Sequence, residues 1–214
     1  MNVDGHAITI SHPDKVLFPD DGLTKADLAD YYRRIAPVAL PHFRNRPVTM
    51  QRFPDGIAEE GFFQKHIPDH FPDWIERAEL PKEDGTVRHV LVSSAATLVY
   101  LANQGCITAH LGVAPADNPD HPDRLVFDLD PSDNDFGKVQ TVARALKELF
   151  EGWGLTSFVQ TTGSRGLHIV LPLNGSAGFE TLRPFARSVA ARIAADLPGV
   201  ATDQQRKAKR RDRV

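Results

Sequence analysis

The chain has 214 residues, a formal net charge of −3 and a single cysteine. That length holds one large domain or two small ones. The charge balance excludes a molecule that is a polycation as a whole, so any nucleic-acid surface must be local. Lone Cys106 excludes an internal disulfide and a multi-cysteine zinc site. The first residues, MNVDGHAITI, lack a basic region followed by an apolar run, and no apolar stretch approaches the roughly 18 residues of a membrane span. The expectation is a cytoplasmic protein with no membrane partner.

In chain order, AITI reads as a short strand and SHPDKVLFPDDGLTK, rich in Asp, Pro and Gly, as an ordered loop. Thr24 with Asp27 three residues on makes a capping box. A helix is predicted from about Lys25 with an apolar stripe of Leu28, Tyr31, Tyr32, Ile35 and Val38, bent or ended by Pro37 and Pro41. Lys15 and Lys25 lie here, and on chemistry alone they read as solvated charges. PVTMQRF, residues 47–53, is a predicted strand carrying Arg52. Phe62 and Phe63 follow; neighbours on a strand point opposite ways, so one can be core while the other stacks on a base. Pro68 between His66 and His70 argues against a helical metal pair.

RHVLV is a predicted strand, Ser93 or Ser94 caps a helix over Ala95 to about Asn103, and Gly105 ends it. CITAHLGV is the next strand, with His110 inside it. A Pro/Asp-rich loop then delivers LVFDLDP, residues 125–131. On a strand, Val126, Asp128 and Asp130 share one face and Leu125, Phe127 and Leu129 the other. Residues two apart stand roughly 6.6 Å apart along the strand. Two carboxylates at about 4 Å repel by about 4 kcal/mol at an effective dielectric near 20. A divalent cation such as Mg²⁺ or Mn²⁺ relieves that repulsion and keeps positions open for substrate phosphates. The same Asp-x-Asp-Pro pattern also caps helices and shapes turns.

A helix is predicted from Phe136 to about Trp153, with Val139, Val142, Ala143, Leu146, Leu149 and Phe150 as its apolar stripe. LTSFVQT, the turn TGSRG and LHIVLPL form a hairpin that sets His168 and Val170 on one face. A second amphipathic helix spans about Phe179 to Leu197, and QQRKAKRRDRV closes the chain as a solvated charge run or a nucleic-acid arm. The order is a βαββα unit. Strands adjacent in sequence usually pair or lie close, so the Asp128–Asp130 face and His168 are expected to meet. Beside them would stand Arg165 and a turn with free backbone N–H groups, a set that suits a metal-bound triphosphate.

These stretches carry a resemblance. HPDKVLFP…GLTKADLADYY, VTMQRFPDGI, GFFQKH, LVYLANQGCI, DRLVFDLDP, TTGSRGLHIVLPL and DQQRKAKR, in this order, resemble the polymerase domain of bacterial DNA ligase D, within the archaeo-eukaryotic primase superfamily. The resemblance covers nearly the whole chain. It implies an α+β, primase-polymerase-like fold of two closely packed lobes, with an antiparallel-dominated sheet and helices 136–153 and 179–197 behind it. It implies template-dependent nucleotidyl transfer with NTP or dNTP at DNA gaps and ends, in non-homologous end joining, with two divalent ions, Mn²⁺ or Mg²⁺, as cofactors. Asp128 and Asp130 would hold the ions. Thr162, Ser164, Arg165 and His168 would form the triphosphate pocket, with Arg165 standing where many members have Lys. His110 would contact the nucleotide sugar, Arg52 would line the nucleotide pocket, and Arg210 would add a phosphate contact, although Asp212 replaces the family's usual Gly. Lys15 and Lys25 would bind the 5′-phosphate of a DNA end, with His12 in place of the usual Asn, and Phe62 and Phe63 would pack against DNA. Gapped DNA with a 5′-phosphate, Ku and a DNA ligase are the implied partners, in a bacterial, nucleoid-associated setting.

The family's third metal carboxylate, a phosphate-binding Gln and the final strands are expected beyond Val214. On that expectation the chain is a single polymerase domain, 1–214, short of those parts. Two further readings stand beside the polymerase. One is a non-catalytic module that recognises 5′-phosphorylated DNA ends. The other is a phosphohydrolase using Asp128 as nucleophile, a reading that leaves TTGSRGLH unexplained.

Overall fold

The computed structural model describes residues 1–82, 84–204, 210 and 212–214. The elements run β1 (Asn2–Val3), β2 (His6–Ala7), β3 (Val16–Phe18), β4 (Leu23–Thr24), α1 (Lys25–Phe43), β5 (Pro47–Arg52), β6 (Phe62–Gln64), β7 (Arg77–Lys82), β8 (Gly85–Leu91), α2 (Ala95–Asn103), β9 (Cys106–Leu111), β10 (Arg124–Leu129), α3 (Phe136–Gly152), β11 (Phe158–Thr161), β12 (Leu167–Pro172) and α4 (Phe179–Asp196). The fold is α+β, and every strand pairing among the described residues is antiparallel. Two compact units divide the chain, Met1–Pro119 and Asp120–Val214.

In the first unit a five-stranded sheet runs β6-β5-β8-β7, with β9 pairing on β5. Its core joins Val48 and Met50 of β5 to Val90 of β8, Leu98 and Leu101 of α2 and Ala36 of α1. Helix α1 begins at the expected capping box: the Thr24 hydroxyl accepts from Asp27 N–H and the Asp27 carboxylate accepts from Thr24 N–H. Its stripe differs from the expected one. Leu28, Ala29 and Ala36 are buried, whereas Tyr31 and Val38 are exposed. Nor do the prolines end it. Both face solvent, where the carbonyls they displace can turn to water, and α1 continues to Phe43.

Three further differences have local causes. The AITI strand is absent; the chain instead pairs Asn2–Val3 with His6–Ala7 around Asp4 and Gly5, both in the left-handed region. The expected loop at 11–25 contains the small β3–β4 hairpin, closed by Gly22 at φ 67°. Strand β7 alternates only briefly, through Ala78 and Leu80, and carries Pro81, which an edge strand tolerates.

The second unit is the expected βαββα arrangement. Its sheet has the order β10-β12-β11. Phe127 and Leu129 of β10 and Leu167, Ile169 and Leu171 of β12 are buried against Val139, Val142, Leu146 and Phe150 of α3 and Val189 and Ile193 of α4. The period-two alternation therefore buries one face under both helices and leaves Val126, Asp128, His168 and Val170 on the other. Of the closing basic run, 205–209 and 211 lie outside the described residues. Val214 is buried in this core, and its N–H donates to Val200 O at 2.9 Å.

Candidate active site and DNA-end surface

In the second unit, the β10–β12 register sets Asp128 directly opposite His168, and the β11–β12 register sets Gln160 opposite His168. Residues in cross-strand register share a face, so Asp128, His168 and Gln160 form one row across the open side of the sheet. His168 Nε2 lies 3.6 Å from Asp128 Oδ1, an electrostatic contact too long for a hydrogen bond. The Asp128 side chain is 67% exposed. Asp130, placed by sequence on the same strand face, lies just past the end of β10, and its carboxylate is 3.8 Å from Arg210 Nη1. Arg210 also donates to Asp130 O at 2.9 Å. The returning tail is tied to the same loop, because the Ser132 hydroxyl donates to Arg213 O at 2.6 Å.

The β11–β12 turn packs on this loop. Gly163 takes φ 77°, and a Cβ on Gly166 would stand 2.4 Å from Leu129 O, so only glycine allows the turn to approach the end of β10. Arg165, carried across by the turn, donates to Asn134 Oδ1 at 3.2 Å. The expectation of free N–H groups in this turn needs correction. The Thr162 hydroxyl accepts from the N–H of both Ser164 and Gly166, at 3.3 and 3.2 Å, and donates to Gly166 O at 3.1 Å. A threonine hydroxyl at the start of a tight turn competes for such donors.

The chemistry of the donors fits a hard divalent ion. Mg²⁺ and Mn²⁺ bind through one or two carboxylates and complete their shells with water and substrate phosphate. Asp128 and Asp130 supply the two carboxylates. Among the described residues no group of three or more His, Cys, Asp or Glu is arranged to hold a metal.

The first unit carries a separate constellation. Ser11, His12, Lys15, Lys25, Arg52 and Gln104 are among the residues lining a cavity of about 260 Å³. The turn that begins at His12, φ 49°, closes with Lys15 N–H donating to His12 O, and Lys15 O in turn accepts from Lys25 N–H at 2.8 Å. That backbone tie brings the two lysines together. Lys25 Nζ donates to Ser11 Oγ at 2.8 Å, and Lys15 Nζ pairs with Asp55 at 2.6 Å. Arg52, expected among the nucleotide-binding groups, lines this cavity. Its guanidinium is held by neutral acceptors, Gln104 O at 2.7 Å, Gln64 Oε1 at 2.7 Å and Gln104 Oε1 at 3.2 Å. Burial holds the Lys25 ammonium below the usual lysine range, and repulsion from Lys15 and Arg52 adds to it. Three cations thus line one cavity.

Beside this cavity, β5 pairs with β6 so that Arg52 opposes Phe62 and Gln51 opposes Phe63. Both phenylalanines are exposed, 46% and 62%, so neither serves the core. Arg52 stacks on the Phe62 ring at 5.4 Å, Phe63 lies 5.3 Å from the His110 ring, and His110 Nε2 is 3.0 Å from Gln51 Oε1. Cys106 is buried and its thiol pushed up to about 12 by that burial, so it stays neutral and offers no nucleophile.

Sequence reasoning did not find Gln160, Asn134, Gln104 or Gln51. Each is a neutral amide whose importance comes from register or loop contact. Only the position of Gln51, one residue before Arg52 on a strand, hinted at a partner for the next strand.

The chain is thus an α+β protein with one carboxylate on the open sheet face of one unit, a second just past the end of the same strand, and a cation-lined cavity in the other unit. The family model for the LigD primase-polymerase domain matches residues 24–214, and the chain belongs to that family. The multifunctional non-homologous end joining DNA repair protein LigD of Mycobacterium tuberculosis is 34% identical over 216 residues, covering 97% of this chain and 28% of the relative. The bifunctional non-homologous end joining protein LigD of Bacillus subtilis is 33% identical over 179 residues, covering 83% and 28%. The chain thus spans a little over a quarter of the length of these curated relatives. The solved polymerase domain from M. tuberculosis ligase D in complex with DNA superposes with a TM-score of 0.88 at 33% identity, covering 95% of this chain and 74% of that one. No helix among the described residues is long and apolar enough to cross a membrane.

Proposed function

We propose that this chain performs template-directed nucleotidyl transfer at DNA gaps and ends, in support of non-homologous end joining. The observation that carries the proposal is the Asp128–His168 register pair with Asp130 two residues on, at the end of two strands whose opposite face packs Phe127, Leu129, Ile169 and Leu171 against the helices. Asp128 and Asp130 would hold the divalent ions, which when bound supply activation of a primer hydroxyl and neutralisation of the triphosphate. The remaining work falls to the chain itself. Arg165, Arg210 and His168 hold phosphate oxygens of the incoming NTP or dNTP, with arginine giving the fork-shaped donor set. Ser164 adds a hydroxyl, and Thr162 fixes the turn that presents it.

In the first unit Lys15, Lys25 and Arg52 hold the 5′-phosphate of a DNA end. Phe62 and Phe63 offer faces for base stacking, and His110 contacts a nucleotide sugar. Ku and a DNA ligase are the proposed partners, and the bacterial cytoplasm with its nucleoid is the proposed setting. The test is primer extension on a gapped duplex bearing a 5′-phosphate, with Mn²⁺. Extension that survives the double substitution Asp128→Ala, Asp130→Ala would reject the assignment.

A second reading, a non-catalytic module for 5′-phosphorylated ends, is favoured by one observation: Lys15, Lys25 and Arg52 line one cavity, while among the described residues no group of three or more His, Cys, Asp or Glu is arranged to hold a metal. It predicts phosphate-dependent binding of gapped DNA with no extension.

A further inference from the structure

We propose that His12 makes the cation-lined cavity proton-sensitive: its imidazole, when charged, joins Lys15, Lys25 and Arg52 on a terminal phosphate monoester, so preference for a phosphorylated end strengthens as pH falls through the histidine range. The inference rests on the reading of this cavity as the end-phosphate site and adds to it a residue that sets its selectivity.

The geometry supplies the coupling. His12 lines the cavity together with Lys15, Lys25 and Arg52. Its backbone sits at φ 49° and its carbonyl accepts from Lys15 N–H at 3.1 Å, so the turn that carries Lys15 also sets an exposed His12 at the cavity wall. The charged groups around it are Lys15 of the same turn, with Asp14 beside it in sequence, Lys25 of α1 and Arg52 of β5. Asn103 and Gln104 at the end of α2 are neutral. Asp55 is engaged by Lys15, and among the described residues no carboxylate lines the cavity. The cations that line the cavity make a positive surrounding for a bound phosphate, and Lys25 is held below its usual range by burial first, then by Lys15 and Arg52. A doubly charged phosphate in the cavity favours the imidazolium of His12, which then donates to a phosphate oxygen. Histidine is the residue type whose charge changes near neutral pH.

Binding thus takes up a proton. A histidine that gains an anionic partner on binding contributes fully below its value in the unbound protein, and the contribution is lost as pH rises through its value in the complex. The phosphate's own second protonation, near pH 6, works the other way. It acts equally on every variant, so the comparison must be with His12→Asn. Asparagine tolerates the left-handed backbone and carries no charge.

The experiment is a set of binding titrations with the intact protein and fluorescent gapped duplexes bearing either a 5′-phosphate or a 5′-hydroxyl, at about pH 6 and about pH 8. The readout is the ratio of the two dissociation constants, with a thermal melt confirming that His12→Asn folds. The expected result is a phosphate preference roughly tenfold larger in wild type than in His12→Asn at the lower pH, the two converging at the higher pH. Equal ratios in the two proteins at both pH values, or a deficit in His12→Asn that does not change with pH, would overturn the inference and leave end recognition standing. No phosphate preference in wild type at either pH would instead overturn the end-recognition reading beneath it.

Discussion

Asp128 and His168 face each other across the β10–β12 ladder, with the carboxylate oxygen 3.6 Å from Nε2. Neither side chain is needed for packing, since the row they share is the open one. Substituting Asp128→Asn is therefore expected to leave the melting temperature within about a degree or two, because surface changes away from packed features cost within roughly 0.5 kcal/mol. Primer extension is expected to fall roughly hundredfold or more, since metal-supplied charge stabilisation is worth several kcal/mol. A parallel loss of melting temperature and activity would mean that the residue is structural.

Gly166 sets the distance between the β11–β12 turn and the end of β10. In Gly166→Ala the new Cβ would lie 2.4 Å from Leu129 O, which is backbone and cannot rotate away. The turn must shift, at a cost of about 1–3 kcal/mol. Because Arg165 rides on that turn, triphosphate affinity is expected to weaken along with stability. Nucleotide titration together with a denaturant melt checks both.

The lowered Lys25 ammonium gives a second pH dependence, on the alkaline side. Burial is its first cause, followed by Lys15 and Arg52. An anion that raises the group's value on binding contributes fully below the unbound value and loses that contribution as pH rises through the bound one. Preference for 5′-phosphorylated over 5′-hydroxyl DNA is thus expected to decline before the ordinary lysine range is reached. Lys25→Arg, which keeps its charge, should flatten the decline. The measurement is the same pair of duplexes titrated upward from about pH 8.

Phe63 is 62% exposed and touches His110 rather than the core. Phe63→Ala is expected to weaken binding to a template overhang by about 1–3 kcal/mol, the worth of one stacked base, with little change in melting temperature. Affinity should also fall with salt, as phosphate contacts require. A melt lowered by the several kcal/mol of a buried phenylalanine would show a packing role instead.

The second unit was the more legible in sequence. Strands β10 and β12 alternate cleanly, so Phe127, Leu129, Ile169 and Leu171 announce one face and Asp128 and His168 the other. Its helices carry stripes of large aliphatic residues that match what is buried. The first unit hides more. Tyr31 and Val38 look like core by spacing and are not, because small Ala29 and Ala36 let α1 come close on the neighbouring face. Strand β7 is an edge whose alternation is limited to Ala78 and Leu80 before Pro81, too brief to mark a strand. Arg52 was visible as a cation in a strand, but its membership of the Lys15–Lys25 cavity depends on Gln64 and Gln104 holding its guanidinium. The turn TTGSRG showed its glycines but not that the Thr162 hydroxyl takes two of its N–H groups.

The most direct measurement is single-nucleotide extension of a primer across a gap with a 5′-phosphate, with Mn²⁺ present, comparing wild type with the Asp128→Ala, Asp130→Ala double variant. Templated addition by wild type that disappears in the double variant, while the variant still binds the gapped DNA, is the expected result. Addition that persists without the two carboxylates, or an intact protein that binds the phosphorylated gap and adds nothing, would contradict nucleotidyl transfer at this site.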